Sequence, residues 1–326
     1  MEYQALLQDL DCTLRDTIAL WDPGWVTFNW RAYTYDHTRR VTGLATTLCR
    51  QEGGDVQVTE LAALLHDITK PYDGEYVVDA QGKRVVDERG YWHNEVRRPP
   101  RSNAVTALYD ELGLAGMLHN ESGAILAERL LRDRGVEAAL CARVGETIRH
   151  HLLPPQDAPV ESGCLYDADT IDANIGLPAF IRNIYIHLHY YNQRKAPEAP
   201  TIETLLRERP LEYLRPYIGD NLPQWNEGKR RDFIPRLQSA AGRALAQARV
   251  ERLAETFAWL GRELDAYAGQ ADHTGVDVVL HYMTHCDEPS IAEETRYLAE
   301  QWLNGQTNPR TCALVQAIQR EIEGAA

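Results

Sequence analysis

The apolar residues of the chain recur mostly at the three- and four-residue spacing of α-helices. Four stretches show this spacing clearly, and each predicts a helix with one buried face. Their apolar stripes are Val41, Leu44, Ala45 and Leu48; Leu61, Leu64, Leu65 and Ile68; Ala124, Ala127, Leu130 and Leu131; and Leu140, Val144 and Ile148. A longer helix is predicted from about Asp169 to Tyr191. The pattern therefore predicts an all-α fold.

One segment departs from helical spacing. The apolar runs at 76–78 (YVV) and 85–86 (VV) flank a turn-like sequence, DAQGK, at 79–83. This arrangement predicts a small β-hairpin inserted between helices, over about residues 75–92. Such an insertion would be suited to a lid or to a contact between two copies of the chain.

A second break falls at 193–200 (QRKAPEAP), where two prolines interrupt the helical pattern. We place a domain boundary there, with one helical domain over 1–195 and a helical C-terminal region of unknown role over 196–326. Amphipathic spacing predicts further helices in that region over about 242–267 and 290–303.

The composition is typical of a soluble, globular protein. Of the 326 residues, 44% are hydrophobic and 25% are charged, and no apolar run approaches the ~18 residues of a membrane-spanning helix. Residues 1–21 carry acids where a signal peptide carries bases, so they predict an amphipathic helix. The six cysteines are scattered and form no CxxC pair. We therefore expect a cytoplasmic protein with reduced thiols and no membrane partner.

The formal net charge of −14 argues against long nucleic acid as a partner, because such a surface repels phosphate backbones. A small anionic substrate remains compatible with this charge. Metal ions in a pocket can locally outweigh the charge of the whole protein.

Histidines and aspartates gather at the ends of the predicted helices. The candidates are His37, His66, Asp67, His119, His150, His151 and Asp169. Several of them continue an apolar stripe and would therefore be buried, which is costly for polar groups unless something satisfies them. A divalent metal does this well, because imidazole is a ligand for Zn, Fe and Ni, and carboxylate is one for Mg and Mn.

These residues stand within the sequences YDHTRRVTGLA, LAALLHDITKPY, HNESGAILAERLL, ETIRHHLLP and DADTIDANIG, in that order. The series resembles the motifs of the HD superfamily of metal-dependent phosphohydrolases over about residues 30–191. It is most similar to binuclear members such as the bacterial diadenosine tetraphosphate hydrolases. The resemblance implies an HD-domain helical bundle, here with the inserted hairpin and the C-terminal helical extension.

The resemblance also implies a ligand set for two divalent ions, which could be Fe, Mn, Ni or Zn. His37, His66, Asp67 and Asp169 would hold the first ion, and Asp67 would bridge to the second. His119 and His151, with His150 as a further candidate, would complete the second site. Asp169 is preferred over Asp167 because the family's aspartate directly precedes a basic or polar residue, here Thr170; Asp172 could support the site from behind.

By the same resemblance, Lys70 would neutralise a phosphate oxygen or assist the leaving group. The superfamily often places a basic residue after the last aspartate, but here that position is Thr170. Arg182 or Arg149 would have to substitute in binding phosphate. The implied activity is hydrolysis of a phosphate ester or anhydride, in a nucleotide or other small metabolite, by a metal-bound hydroxide.

Two other functions stay open. Some HD-fold proteins use the same ligand set to hold a mixed-valent diiron centre that oxygenates small polar metabolites, and the ligands alone do not separate the two chemistries. A non-catalytic sensor that kept the HD fold is a third reading. A homodimer is a further expectation.

A separate histidine pair, His281 and His285, has the i, i+4 spacing of zinc ligands on a helix. Tyr282 stands where an HExxH motif has its glutamate. The sequence alone therefore favours two ordinary histidines.

Overall fold

The computed structural model describes residues 2–21, 31–88, 90–267, 274–285, 291–303 and 308–323, the side chains of residues 31 and 32 excepted. The described chain is predominantly α-helical, as predicted, with one small antiparallel sheet. By its internal packing it divides into two compact units, Met1–Asp169 and Thr170–Ala326. The domain boundary at 195/196 stays a prediction; the division by packing falls earlier in the chain.

The first unit is a helical bundle. Its helices are α1 (Tyr3–Ile18), α2 (Arg31–Glu52), α3 (Val56–Leu65), α4 (Ala104–Glu111), α5 (His119–Asp133), α6 (Ala138–His150) and the start of α7 (Val160–Asn174). The four predicted apolar stripes lie in the core of this bundle, with Leu61, Leu65, Val144 and Ile148 fully buried. Leu140 is the exception, being only partly buried.

Close packing in this bundle depends on small residues. A Cβ atom on Gly123 of α5 would lie 3.1 Å from the backbone oxygen of His66 and 3.3 Å from Thr69 Oγ1. Such distances are tighter than ordinary van der Waals contact, so glycine lets α5 approach the chain just after α3. This approach brings the end of α3 and the start of α5 together.

The predicted hairpin is present. The turn closes with hydrogen bonds from Asp79 N to Lys83 O and from Val85 N to Val77 O, at 2.8 and 2.9 Å. The insertion extends beyond the predicted limits, because β1 (Asp73–Tyr76) pairs antiparallel with β2 (Asn94–Val96) at its base. A short 3₁₀ turn, Lys70–Tyr72, connects α3 to β1.

The second unit contains the rest of α7, then α8 (Leu177–Arg194), α9 (Ile202–Glu208), α10 (Pro210–Pro216), α11 (Leu222–Phe233), α12 (Ala240–Asp265), α13 (Gly275–Thr284), α14 (Ile291–Trp302) and α15 (Pro309–Ile322). The break predicted at the QRKAPEAP sequence lies between α8 and α9. Within the described residues, no helix is both long and apolar enough to cross a membrane.

The prediction of one helix from Asp169 to Tyr191 is wrong. Two helices, α7 and α8, cover this range and meet at Gly176, whose φ angle is +110°. Glycine adopts this conformation readily, whereas other residues are strained there. The following Pro178 lies in the first turn of α8, where proline is favoured because its missing N–H has no helical partner.

Candidate metal centre

Six of the predicted ligands come together in the first unit. His37 lies in α2, His66 and Asp67 directly follow α3, and His119 is the first residue of α5. The other two are His151, which ends α6, and Asp169 on α7. The histidines and Asp67 are buried, and the Asp169 side chain is 22% exposed. Four of the six residues thus stand at helix ends, whereas His37 and Asp169 project from within α2 and α7.

Five of the six residues form two triads that share one carboxylate. The ligand atoms of His37, His66 and Asp67 lie within 4.8 Å of one another, and so do those of Asp67, His119 and His151. Asp67 Oδ2 faces the first pair of histidines, 3.8 Å from His37 Nε2 and 3.6 Å from His66 Nε2. Asp67 Oδ1 faces the second pair, 3.6 Å from His119 Nε2 and 3.8 Å from His151 Nε2.

These separations are too long for hydrogen bonds. They fit ligands that share an ion, because each nitrogen or oxygen would lie only about 2.0–2.2 Å from the metal. A carboxylate with one oxygen directed at each triad has the arrangement of a bridge between two ions.

The imidazole orientations also fit metal binding. His66 Nδ1 donates a hydrogen bond to the carbonyl of Ala63 and His151 Nδ1 to that of Ile148, both at 2.7 Å. Because a carbonyl only accepts, both rings carry their proton on Nδ1 and turn the lone pair of Nε2 toward Asp67. Among the described residues, neither Nε2 has a hydrogen-bond partner, although both are buried. A metal ion would satisfy both atoms.

A carboxylate partners each of the other two histidines, in different ways. Asp169 Oδ1 lies 3.0 Å from His37 Nε2, so the two are placed to bind the same ion. Asp73 Oδ2 instead accepts from His119 Nδ1 at 2.8 Å, on the far side of the ring from Asp67. Such a contact fixes the tautomer and the ring plane of a metal-binding histidine.

The protonation states suit metal ligands. Burial, together with the neighbouring His66 and His119, lowers the pKa of His151 to about 3 and keeps its imidazole neutral. Burial alone would raise the pKa of Asp67, but its electrostatic interactions with His66 and Lys70, and more weakly with His119 and His37, outweigh this effect and lower it. Asp67 is therefore ionised.

The family model of the HD domain matches residues 34–174, which contain all six of these residues. This stretch is an HD domain. Among solved structures, the chain is similar to a predicted HD superfamily hydrolase from an uncultured Thermotogales bacterium, with 23% identity and a TM-score of 0.36 over 69% of this chain and 99% of that one.

It is also similar to Bacillus subtilis YpgQ in complex with ADP, with 15% identity and a TM-score of 0.40 over 81% of this chain and 97% of that one. No curated protein matches the chain.

Two other predicted site residues of the HD domain are placed differently. His150 belongs to neither triad, and its Nδ1 lies 3.1 Å from Ser162 Oγ. Adjacent residues at a helix end point in different directions, so His150 faces away from the cluster that His151 faces. Lys70 is close to the cluster, with Nζ 3.3 Å from His119 Nε2. Although burial lowers the pKa of Lys70, the charges of Asp67 and Asp73 raise it overall, so the ammonium is charged.

The predicted phosphate-binding arginine, Arg182, lies on α8 in the second unit. Its guanidinium donates to the carbonyl of Ala173 at 3.4 Å. Its role in binding substrate stays a prediction. The alternative, Arg149, pairs with Glu128 at 2.8 Å on the surface of the first unit.

Sequence reasoning missed Asp73. It lies three residues after Lys70, but the chain between them forms a 3₁₀ turn, and Asp73 is the first residue of β1. No helical periodicity therefore links it to His119, and only the folded chain shows the contact. Asp73 also lines a cavity of about 490 Å³ in the first unit, together with Trp92 of the hairpin and Ser122 of α5.

Proposed function

We propose that this chain is a metal-dependent phosphohydrolase that cleaves a phosphate ester or anhydride of a nucleotide or other small metabolite. The observation that carries the proposal is the double triad around Asp67, with two buried, proton-free Nε2 atoms directed at it. The paired sites of phosphatases and nucleases have this form, with ions about 3.5–4 Å apart.

The first ion would be held by His37, His66, Asp67 and Asp169, and the second by Asp67, His119 and His151. Bound there, two divalent ions would lower the pKa of water toward neutrality and polarise a phosphoryl oxygen. The chain's own contribution is to hold four imidazoles and two carboxylates in fixed orientations before substrate arrives.

The position of Lys70 is suited to an anionic substrate. Its charged Nζ lies beside His119 at the edge of the cluster and is only partly buried. An ammonium in this position is able to neutralise a phosphate oxygen as negative charge develops on it. In a protein with net charge −14, such a local positive charge matters for recruiting a small phosphorylated substrate.

The first test uses the adjacent histidines as a matched pair. Full-length wild type, His151→Gln and His150→Gln are loaded separately with Mn²⁺, Fe²⁺, Ni²⁺ or Zn²⁺. Phosphate release is then measured from a panel of nucleotides and phosphate esters, with and without oxygen. We expect wild type and His150→Gln to release phosphate equally in both atmospheres, and His151→Gln to be inactive.

Bound metal is counted in the same samples by elemental analysis. We expect the HD domain to hold two ions in wild type and His150→Gln, so His151→Gln should hold one ion fewer than either. Oxygen-dependent turnover of a metabolite without phosphate release would replace the hydrolase with the diiron oxygenase. A chain that holds metal but turns over nothing in the panel would favour the sensor.

A further inference from the structure

The second unit contains a third group of metal-binding side chains. His281 lies on α13, His285 directly follows that helix, and Glu294 lies on α14. One ligand atom from each lies within 4.8 Å of the other two. His281 and Glu294 are buried, whereas His285 is exposed.

The structure changes the interpretation of the histidine pair. From sequence, Tyr282 replaces the general-base glutamate of an HExxH motif, and no third ligand was identified for His281 and His285. In the fold, Glu294 supplies a carboxylate from a different helix, and it contacts His281 Nε2 directly. Two imidazoles and one carboxylate are the ligand set of many zinc sites that keep a fourth position open.

The orientation of His285 matches that of the histidines in the HD domain. Its Nδ1 donates to the carbonyl of His281 at 2.9 Å, as His66 and His151 donate to backbone carbonyls. The proton is thus on Nδ1, and Nε2 keeps its lone pair. A backbone partner of this kind is typical of metal-binding histidines.

We propose that His281, His285 and Glu294 bind one Zn²⁺ ion, with solvent or a small ligand at the fourth position. The ion would take the place of the proton between His281 Nε2 and the Glu294 carboxylate. That proton would move to His281 Nδ1, so the ring would bind as a neutral imidazole and Glu294 as a carboxylate. The two imidazole rings now lie face to face, with centroids 4.2 Å apart. His281 would rotate about its broad χ2 torsion to direct Nε2 at the ion, while His285 keeps its hydrogen bond to the backbone.

Such an ion would join α13 to α14 independently of the HD domain, and the inference does not rest on the proposed activity. Nitrogen and oxygen ligands at a partly exposed site favour zinc over magnesium or calcium, which prefer all-oxygen sites.

The test counts zinc on the full chain. Wild type, His285→Ala and Glu294→Gln are dialysed against buffered micromolar Zn²⁺, and bound zinc is measured per chain. The control is His93→Ala, which removes an exposed histidine of the hairpin that belongs to no metal-binding group. We expect both test variants to bind one zinc fewer than wild type and the control. Equal zinc content in all four proteins would overturn the proposal.

A site-resolved measurement covers the case in which Glu294→Gln fails to fold. Carbethoxylation of His285 and His93 in the wild-type chain is followed by mass spectrometry with and without zinc. At free zinc about ten times the dissociation constant, the reactive fraction of His285 should fall about tenfold, while His93 stays unchanged. Equal rates at His285 with and without saturating zinc would exclude the site.

Discussion

At the scale of single residues, the HD site depends on two kinds of hydrogen bond to histidine. His66 and His151 are oriented by backbone carbonyls, whereas His119 is oriented by the Asp73 side chain. The first kind is present wherever the helix ends form. The second depends on one carboxylate in the inserted segment.

This difference predicts the effect of Asp73→Asn. The amide loses the charge that makes His119 a stronger ligand, so affinity for the second ion should fall about 10–100-fold while the first ion is retained. Metal titration followed by elemental analysis measures both affinities. Asp87→Asn, in the same insertion, is the control and should bind both ions normally. If Asp73→Asn did so too, Asp73 would have no part in orienting His119.

Lys70→Ala should separate catalysis from metal binding. Loss of one charge-stabilising group typically lowers turnover by about 10²–10³-fold, whereas both ions should remain bound. Phosphate release and metal content measure the two effects. Lys83→Ala, an exposed lysine in the hairpin turn, should behave as wild type. An unchanged rate in Lys70→Ala would remove this lysine from the proposed mechanism.

Much of the site was predictable at this scale, because the stripe positions place His37 and His151 on buried faces and His66-Asp67 directly after one. Which of two adjacent histidines turns inward was not predictable, since that depends on the last turn of α6. The Asp73 contact joins segments 46 residues apart, and no local pattern records it.

At the scale of secondary-structure elements, the break between α7 and α8 is the feature that apolar periodicity could not detect. Ile175, Leu177, Phe180 and Ile181 are all buried, so the stripe continues through the break. The break depends on Gly176, which has no side chain and therefore does not contribute to the apolar periodicity. The hairpin was predictable because its turn residues signal a change from helical to alternating spacing.

Gly176→Ala should therefore destabilise the second unit. A non-glycine residue strains at this φ, and the new Cβ would lie 2.7 Å from Glu321 Oε2 and 2.9 Å from Arg249 Cδ. We expect a loss of roughly 2 kcal/mol or more in the free energy of unfolding, measured by urea denaturation. Gly261→Ala, in the C-terminal part of α12 with open space around it among the described residues, should instead gain about 0.5–1 kcal/mol. Equal effects would contradict the assigned role of Gly176.

Because Asp55 caps α3, the helix that precedes His66 and Asp67, we expect its ionisation to make the protein's stability depend on pH. Burial raises the pKa of Asp55, but hydrogen bonds from Arg143 and the Val58 amide outweigh it and lower the pKa overall. Because the pKa is lower in the folded state, ionised Asp55 stabilises the protein fully at pH values above its unfolded pKa of about 3.9. This stabilisation is lost as the pH falls through the folded-state pKa.

The variant that tests this is Asp55→Ala, which removes the helix cap. It should cost about 1 kcal/mol at pH 7, and the difference from wild type should shrink as the pH falls below about 4. Asp55→Asn keeps the cap but not the charge, so its effect should be smaller. Urea unfolding at several pH values measures both variants, and a difference that grew toward acid would contradict the assigned ion pair.

At the scale of the whole molecule, metal binding should contribute to stability. Ions at about 100 times their dissociation constant add about 2.7 kcal/mol, so chelation should lower the melting temperature by about 5–10 °C. Calorimetry with and without EDTA measures the shift. Asp67→Ala, which lacks the shared ligand, is the control and should lose most of the shift. An equal shift in both proteins would place the stabilising ion outside the HD domain.

Each triad has one histidine that a backbone carbonyl orients, His66 or His151, whereas His119 is oriented by the Asp73 side chain. A point mutation cannot remove the backbone carbonyl of Ala63 or Ile148, so single substitutions at these positions leave the partner of His66 or His151 in place. The codon of Asp73, in contrast, is open to selection, and the residue touches neither predicted ion position. Relatives of this chain could thus diverge in how tightly they keep their second ion while every ligand stays the same.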